Sequence, residues 1–196
     1  MRVPKFLTAL LLLGAASAFA EGRDTAYSAY DVGVAVGMVG GSGLSVRRWI
    51  GPKDAIQINF APFYMEEKYP GDGGGYYPSR DSGYSHTGFL SIGALYLHRV
   101  AEFNGLSFSG YGGASYTALY HRDDYYETDS YYGTPVDHTV RNSLKGNVSL
   151  GGGVGASIEF WRFEATALLG LAGAYDLERK TKQLTPALDL GVHFRL

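Results

Sequence analysis

Residues 144–160 read LKGNVSLGGGVGASIEF, and their alternation decides the fold. Apolar residues and glycines fill one alternate set, which is Leu144, Gly146, Val148, Leu150, Gly152, Val154, Ala156, Ile158 and Phe160. Polar residues and glycines fill the other, which is Lys145, Asn147, Ser149, Gly151, Gly153, Gly155, Ser157 and Glu159. Because successive side chains of a strand point to opposite faces, the pattern predicts a strand with one apolar and one polar face.

The length of this run indicates the surroundings of the strand. A strand of a soluble protein typically has about 5–6 residues. At about 3.3 Å per residue the run extends over roughly 56 Å, or about 40 Å along a membrane normal after a tilt of about 45°. The run is therefore long enough to cross a bilayer. A long strand of a soluble sandwich is the alternative, and the rest of the chain must separate the two.

Composition limits the possible functions of the chain. It has 196 residues, a formal net charge of −2 and no cysteine, which is the size of one domain. The near-neutral charge argues against a nucleic-acid partner. The lack of cysteine excludes disulfides, thiol catalysis and cysteine-ligated metals. A mean hydropathy of −0.09 is too polar for a helical membrane protein, but it suits a barrel in which only alternate residues face lipid.

The N-terminus has the pattern of a cleavable export signal. Arg2 and Lys5 provide positive charge, residues 6–16 form an apolar core, and Ala18-Phe19-Ala20 matches a cleavage site. We expect residues 1–20 to be a signal peptide, 21–29 a flexible lead-in and 30–196 the barrel domain.

Alternation typical of strands recurs along the rest of the chain. The predicted strands cover residues 30–38, 44–50, 55–65, 87–100, 106–120, 144–160, 163–177 and 185–196. Gly51-Pro52 and Asn104-Gly105 mark tight turns between strands, and Pro62 predicts a bulge or bend within the third strand. Two long connections are expected at 69–86 and 121–141. After the first hairpin, short and long connections alternate, as they do in outer-membrane barrels.

The last strand carries a resemblance to a known class. Leu188, Leu190, Val192, Phe194 and Leu196 alternate with Asp189, Gly191, His193 and Arg195. With the export signal and the strand count, this end resembles the small outer-membrane β-barrels of Gram-negative bacteria, such as the OmpX-like proteins and the OmpA membrane domain. Such proteins usually end on Phe, whereas this chain ends on Leu196 with Phe194 on the same face.

The resemblance implies a fold, a location and partners. The implied fold is all-β, an eight-stranded antiparallel up-and-down transmembrane β-barrel, integral to the outer membrane. The implied surroundings are outer-membrane lipid and lipopolysaccharide, and the implied assembly partner is the barrel assembly machinery. We predict no nucleic-acid partner, no cofactor and no metal site.

Polar residues on the inward-facing positions predict a network within the barrel. They are Asp31, Arg47, Gln57, Asn59, Arg99, Lys145, Glu159, Glu164, Asp176, Asp189, His193 and Arg195. An eight-stranded barrel is just wide enough for side chains to fill it, and buried charges need partners. We therefore expect a network of salt bridges that fills the lumen, with a narrow ion path as the alternative.

The two long connections are rich in tyrosine, glycine and acidic residues. The tyrosines predicted to bind are Tyr76, Tyr77, Tyr84, Tyr125, Tyr126, Tyr131 and Tyr132. Tyrosine among small polar residues is typical of antibody contact loops. We therefore predict a surface for a host or envelope ligand, with hydrated, passive loops as the alternative. Asp123, Asp124, Glu127 and Asp129 supply oxygen ligands of the kind Ca²⁺ prefers, but the spacing of an EF-hand is absent.

An enzymatic function is the remaining alternative. Some barrels of this size act on lipid A, and the deacylase type has a His-x-Ser pair, which none of the five histidines here provides. His121 with Asp123, or Ser85 with His86, would form only part of a catalytic triad. We therefore predict a non-enzymatic barrel that presents binding loops, with no catalytic residue. The alternatives are a lipid A-modifying enzyme and a purely structural envelope barrel.

Overall fold

The computed structural model describes residues 30–69, 80–128 and 135–196. Eight strands account for most of them: β1 (Tyr30–Gly37), β2 (Gly43–Trp49), β3 (Asp54–Tyr69), β4 (Arg80–Phe103), β5 (Leu106–Thr128), β6 (Pro135–Phe160), β7 (Phe163–Asp176) and β8 (Thr181–Arg195). Within these ranges, no helix has the length and apolar character needed to cross a membrane.

The strands form a closed antiparallel barrel in chain order. Each strand pairs with the next, and β1 closes the ring on β8 from Asp31↔Arg195 to Gly37↔Asp189. Asn104 and Gly105 have φ of 47° and 79° at the β4–β5 turn, which is the left-handed backbone that an Asn-Gly hairpin requires. The prediction of an eight-stranded up-and-down barrel is confirmed.

The burial of side chains is inverted relative to a soluble protein. Large apolar side chains such as Val34, Ile58, Val154, Leu169 and Leu188 are exposed on the outer face. The positions that alternate with them carry buried polar residues, including Arg47 and Asn59. An apolar exterior of this extent needs an apolar medium, and a lipid bilayer supplies one around a closed barrel.

The strands differ greatly in length, and the sequence-based boundaries are wrong on one side of the barrel. β4, β5 and β6 have 24, 23 and 26 residues, whereas β1 and β2 have 8 and 7. Much of the predicted connections 69–86 and 121–141 is paired strand, for example at Ser85↔Asp123 and Asp123↔Arg141. Cross-strand pairing, which composition does not reveal, overrides the turn-like character of these segments. Residues 70–79 and 129–134 lie outside the described part.

The connection between β1 and β2 folds into the barrel. Val39, Gly40 and Gly41 of this plug turn (residues 38–42) are buried. Asp189 Oδ1 accepts a hydrogen bond from the Gly40 N–H at 2.7 Å, and Asn59 Nδ2 donates to the Gly40 carbonyl at 2.8 Å. The sequence predicts a turn here but does not show that the turn enters the lumen.

Gly93 makes room for the plug turn. A Cβ at this position of β4 would lie 2.1 Å from the Gly40 carbonyl oxygen, which no side chain tolerates. The glycine therefore lets the turn sit against the inner wall.

Candidate functional site

A buried ion pair lies at the centre of the polar interior. Arg47 Nη1 donates to Glu164 Oε1 at 2.6 Å, and the two side chains are 2% and 6% exposed. Gln57 Oε1 accepts from Arg47 Nε at 3.1 Å and from Nη2 at 2.9 Å, while Thr166 Oγ1 donates to Glu164 at 3.0 Å. Alternation places these residues on the inner faces of β2, β3 and β7. The guanidinium thus has both a charge partner and hydrogen-bond acceptors.

His193 extends this cluster, and its contacts define its protonation. Arg47 Nη2 lies 3.2 Å from His193 Nδ1, and Ser45 Oγ lies 2.7 Å from His193 Nε2. A guanidinium only donates hydrogen bonds, so Nδ1 must accept. We therefore assign the hydrogen to Nε2, which donates to Ser45, and the imidazole is neutral.

A second polar cluster lies nearer the end of the barrel that has the short β2–β3, β4–β5 and β6–β7 turns. Glu159 Oε1 accepts from Arg99 at 2.8 Å and from Arg195 at 3.2 Å. The Arg99 guanidinium lies 4.5 Å from the centre of the Trp49 ring, and Trp49 Nε1 donates to Asp31 at 2.8 Å. Arg195 Nε is 3.6 Å from Asp31. Three arginines (Arg47, Arg99 and Arg195) and three carboxylates (Asp31, Glu159 and Glu164) therefore neutralise one another inside this half of the barrel.

Four of the predicted interior residues lie outside these two clusters. Lys145 is exposed, because β6 rises above the ends of β1 and β2 and its inner face there is open to solvent. Asp176 caps the β7–β8 turn instead, where its Oδ1 accepts from the N–H groups of Glu178 and Arg179, each at 2.9 Å. Asn59 and Asp189 hold the plug turn rather than the ion pair.

An apolar layer above the ion pair was not predicted. Leu95, Tyr111, Leu168 and Ala172 pack around Val39 of the plug turn. The sequence of β4 contains an indication of this layer, because apolar residues occupy both alternate sets of the strand. Leu95 and Leu97 of the inner set belong to this layer, and the outer set faces lipid.

The upper halves of β3, β4, β5 and β6 form a sheet that extends beyond the short strands, and we call it the extracellular sheet because membrane barrels have their longer connections on that side. On its outer face, the His86 ring stacks between Tyr64 and Tyr84, at centroid distances of 6.2 and 6.4 Å. Tyr64 Oη lies 2.8 Å from His86 Nδ1, and Lys68 Nζ lies 5.7 Å from the centre of the Tyr84 ring. These side chains form a preorganised aromatic patch, which we call the Tyr–His–Tyr stack.

Charged residues border this stack. Arg122 Nε donates to Asp124 at 3.2 Å, and this hydrogen bond raises the pKa of the guanidinium. Asp124 Oδ2 also lies 3.9 Å from His86 Nε2, and Glu66 lies 3.9 Å from His86 Nδ1. The patch therefore combines aromatic rings, an arginine and carboxylates on one face.

A hydroxyl, an imidazole and a carboxylate are aligned on the opposite face of this sheet. Thr87 Oγ1 lies 3.2 Å from His121 Nδ1, and Asp123 Oδ2 lies 3.0 Å from His121 Nε2. From the sequence, His121 is grouped with Asp123 but not with Thr87. The cross-strand pair Thr87↔His121 brings the Thr87 hydroxyl to the imidazole. In the described ranges, no group of three or more acidic, histidine or cysteine residues gathers in a form suited to a metal ion.

The predicted binding tyrosines divide into two groups. Tyr84, Tyr125 and Tyr126 belong to strands β4 and β5 and not to loops, which corrects the sequence-based placement. Tyr76, Tyr77, Tyr131 and Tyr132 lie outside the described residues.

A closed ring of eight antiparallel strands, apolar outside and polar within, defines the small outer-membrane β-barrel class. In fold, the chain is similar to the crystal structure of Ail, the attachment invasion locus protein of Yersinia pestis. The two share 15% identity and a TM-score of 0.40 over 86% of this chain and 97% of that chain. The crystal structure of Ail in complex with the heparin analogue sucrose octasulfate is also similar. It has 16% identity and a TM-score of 0.36 over 86% of this chain and 97% of that chain. No family model and no curated protein matches the chain.

Proposed function

We propose that this outer-membrane barrel is a display scaffold. In this proposal, side chains and the plug turn close its lumen, and the extracellular sheet presents a contact surface for a host or envelope ligand. The observation that carries it is the pairing of β4 with β5 and of β5 with β6, which extends through local register shifts as far as Arg80↔Glu127 and Thr128↔Pro135. Export by residues 1–20 and insertion by the barrel assembly machinery into a lipopolysaccharide membrane belong to the same proposal.

The reach of the extracellular sheet supports display. β5 has 23 residues, which extend over about 78 Å at about 3.4 Å per residue, or about 55 Å of height after a tilt of about 45°. The apolar band of such a barrel is about 25 Å tall. On the order of 30 Å of the height of this strand therefore lies outside the hydrocarbon layer. We place most of this height on the extracellular side. A paired sheet holds contact residues more rigidly than a loop does.

The chemistry of the sheet supports recognition of a protein or glycan. Tyrosine and arginine are enriched among the residues that dominate binding energy at interfaces. Tyr64, Tyr84 and Arg122 lie on one face, and their rings and charges are already held by His86, Lys68 and Asp124. Side chains that are ordered before binding lose less entropy when a partner arrives.

Adhesion of bacteria that display the protein to an epithelial monolayer tests this proposal. Replacing Tyr64 and Tyr84 together with alanine should reduce adhesion at least tenfold, because the replacement removes the Tyr–His–Tyr stack. The control is Tyr175→Ala, a tyrosine on β7 outside the extracellular sheet, with surface amounts matched by labelling. Equal adhesion by all three strains would show that the Tyr–His–Tyr stack is passive in adhesion and would contradict the display proposal.

The alignment of Thr87, His121 and Asp123 favours a second candidate, an acyl ester hydrolase acting on lipid A. A hydroxyl, an imidazole and a carboxylate in contact are the components of nucleophilic acyl transfer. Mass spectra of lipid A from cells with and without the protein test this candidate, with Thr87→Val as the variant. Removal of an acyl chain that depends on Thr87 supports it, and an unchanged spectrum eliminates it.

A further inference from the structure

The barrel wall has a notch above the ends of β1 and β2. The pairing of β1 with β8 stops at Gly37↔Asp189, and the pairing of β2 with β3 stops at Leu44↔Phe60. β8 continues to Thr181 and β3 to Tyr69, and the plug turn that joins β1 to β2 folds inward instead of filling the space. Where β1 and β2 are missing, β8 and β3 lie three inter-strand spacings apart along the wall, which is about 14 Å at about 4.8 Å each.

The notch opens within the membrane and not above it. On the outer face of β8, Leu188 and Leu184 are exposed, and both lie above the last β1 partner, Asp189. The five residue-to-residue steps from Asp189 to Leu184 extend over about 17 Å, or about 12 Å of height at a tilt of about 45°. The lower part of the notch therefore faces the hydrocarbon of the outer leaflet.

A proline lies on each edge of the notch. Pro62 follows the last β2 partner of β3, and Pro186 lies above the last β1 partner of β8. Proline has no N–H, so it is tolerated where a strand has no neighbour on one side. Unpaired backbone groups within the membrane are found only where they line a polar cavity.

A cavity of about 560 Å³ joins the notch to the interior of the barrel. Its outer mouth is lined by lipid-facing apolar side chains, namely Val36, Met38, Leu188 and Leu190. Its inner wall carries uncharged polar side chains, namely Ser115, Thr117, Asn147, Ser149 and Gln183. The volume is within the range of about 300–1,000 Å³ that ligand sites in proteins occupy.

The plug turn is the floor of this cavity. Ser115 Oγ donates to the Met38 carbonyl at 2.6 Å, and Ser91 Oγ accepts from the Ser42 N–H at 2.9 Å. Below the turn, the apolar layer around Val39 and the ion pair of Arg47 and Glu164 fill the lumen. The cavity is therefore a blind pocket entered from the membrane and from outside, not a path to the periplasm.

The inner face of the wall that begins at the β3 edge of the notch has an apolar row. Phe63, Phe89 and Leu119 form this cross-strand row of β3, β4 and β5, and Lys145 of β6 continues it. Phe63 and Leu119 are 52% and 42% exposed. Apolar side chains exposed inside a barrel beside uncharged polar ones suit a ligand with both characters.

We propose that this pocket binds one neutral single-chain amphiphile, such as a monoacylglycerol or a long-chain alcohol. The alkyl chain lies through the notch, against Leu188 and Met38, and the polar end hydrogen-bonds to Thr117, Asn147 and Gln183. None of the residues that line the pocket is charged, so a neutral head group loses less hydration there than an anionic one. This site is separate from the outer face of the extracellular sheet and does not depend on the proposed adhesive function.

Photoaffinity labelling tests the proposal. The full mature barrel is reconstituted in phosphatidylcholine vesicles with a monolauroylglycerol that carries a diazirine on its chain. We expect labelling that saturates, that unlabelled monolauroylglycerol displaces, and that is found in peptides lining the pocket. Thr117→Phe, which fills the pocket, should reduce this labelling at least tenfold, whereas Ala118→Phe, the same ring on the outer face of β5, should leave it unchanged.

The outcomes separate the pocket from ordinary lipid contact. Each variant is first checked for the migration shift of a folded barrel, and Asn147→Leu replaces Thr117→Phe if that variant does not fold. Labelling that does not saturate, or that is equal in the inner and outer variants, overturns the proposal. Lysophosphatidylglycerol with the same chain should displace the label at least tenfold less well, and equal displacement would refute the neutral head group.

Discussion

Removing one member of the buried ion pair should destabilise the barrel more than removing both. Glu164→Leu leaves the Arg47 guanidinium buried without its carboxylate, although Gln57 still accepts its hydrogen bonds. Breaking a buried pair from one side costs about 3–5 kcal/mol, whereas replacing both members with apolar residues is often close to neutral. We therefore expect each single variant to lose several kcal/mol and Arg47→Met/Glu164→Leu to lose less than about 2 kcal/mol.

The structure also predicts which single variant is worse. After Arg47→Met, Glu164 still has Arg99 and Arg195 at 4.0 Å. Two unit charges 4 Å apart attract by about 4 kcal/mol at an effective dielectric constant of about 20, so these arginines compensate part of the loss. We expect a loss of about 3 kcal/mol for Arg47→Met and about 5 kcal/mol for Glu164→Leu.

Urea titration of the barrel folded in lipid vesicles measures these free energies. Trp49 and Trp161 report unfolding by fluorescence, and the migration shift on a gel confirms the folded fraction. Glu178→Leu, in the exposed β7–β8 turn, is the matched control and should change stability by less than about 0.5 kcal/mol. A double variant whose loss equals the sum of the two single losses would refute the coupling of Arg47 with Glu164.

Three further predictions follow from the plug turn and the barrel. Asp189→Ala should cost about 1–3 kcal/mol in the same urea titration, because the buried Gly40 N–H loses its acceptor, and an unchanged midpoint would show that the turn is held by other contacts. Gly93→Ala should displace the plug turn and lower the urea midpoint, because its methyl group would lie 2.1 Å from the Gly40 carbonyl oxygen. Gly88→Ala, whose nearest neighbour would be 3.5 Å away, is the control, and equal midpoints for both variants would contradict a plug at this position. The unboiled mature protein in detergent should migrate faster on a gel than the boiled protein, as compact barrels do, and a folded monomer that stays soluble without detergent or lipid would refute the membrane barrel.

The fold could be predicted where alternation and turn chemistry agree. β7 and the 144–160 half of β6 follow their binary pattern closely, and the Asn104-Gly105 hairpin forms where its residues require it. The upper parts of β4, β5 and β6 could not be predicted, because Gly, Ser, Tyr and Asp are common in loops and only their cross-strand partners make them strands. Pro62 suggested a bulge, whereas its place on the free edge above β2 depends on where another strand ends.

The interior was likewise predictable in part. Alternation placed Arg47, Gln57, Glu164 and His193 on inner faces, but it could not pair Arg47 with Glu164, which lie 117 residues apart. Likewise, it could not indicate that Lys145 faces solvent, since that depends on the short height of β1 and β2.

In the strands with a clear binary pattern, the sequence by itself determined which residues face lipid and which face inward, because a strand has a period of two and the apolar and polar sets alternate with it. It thereby determined a closed barrel, which pairs every backbone group without water where its wall is complete. Only the tertiary structure decided the rest, namely the inward plug turn, the notch above β1 and β2, and the contact of Thr87 with His121. These features depend on the relative heights of strands that are distant in the chain, and height is set by register, which no single segment encodes.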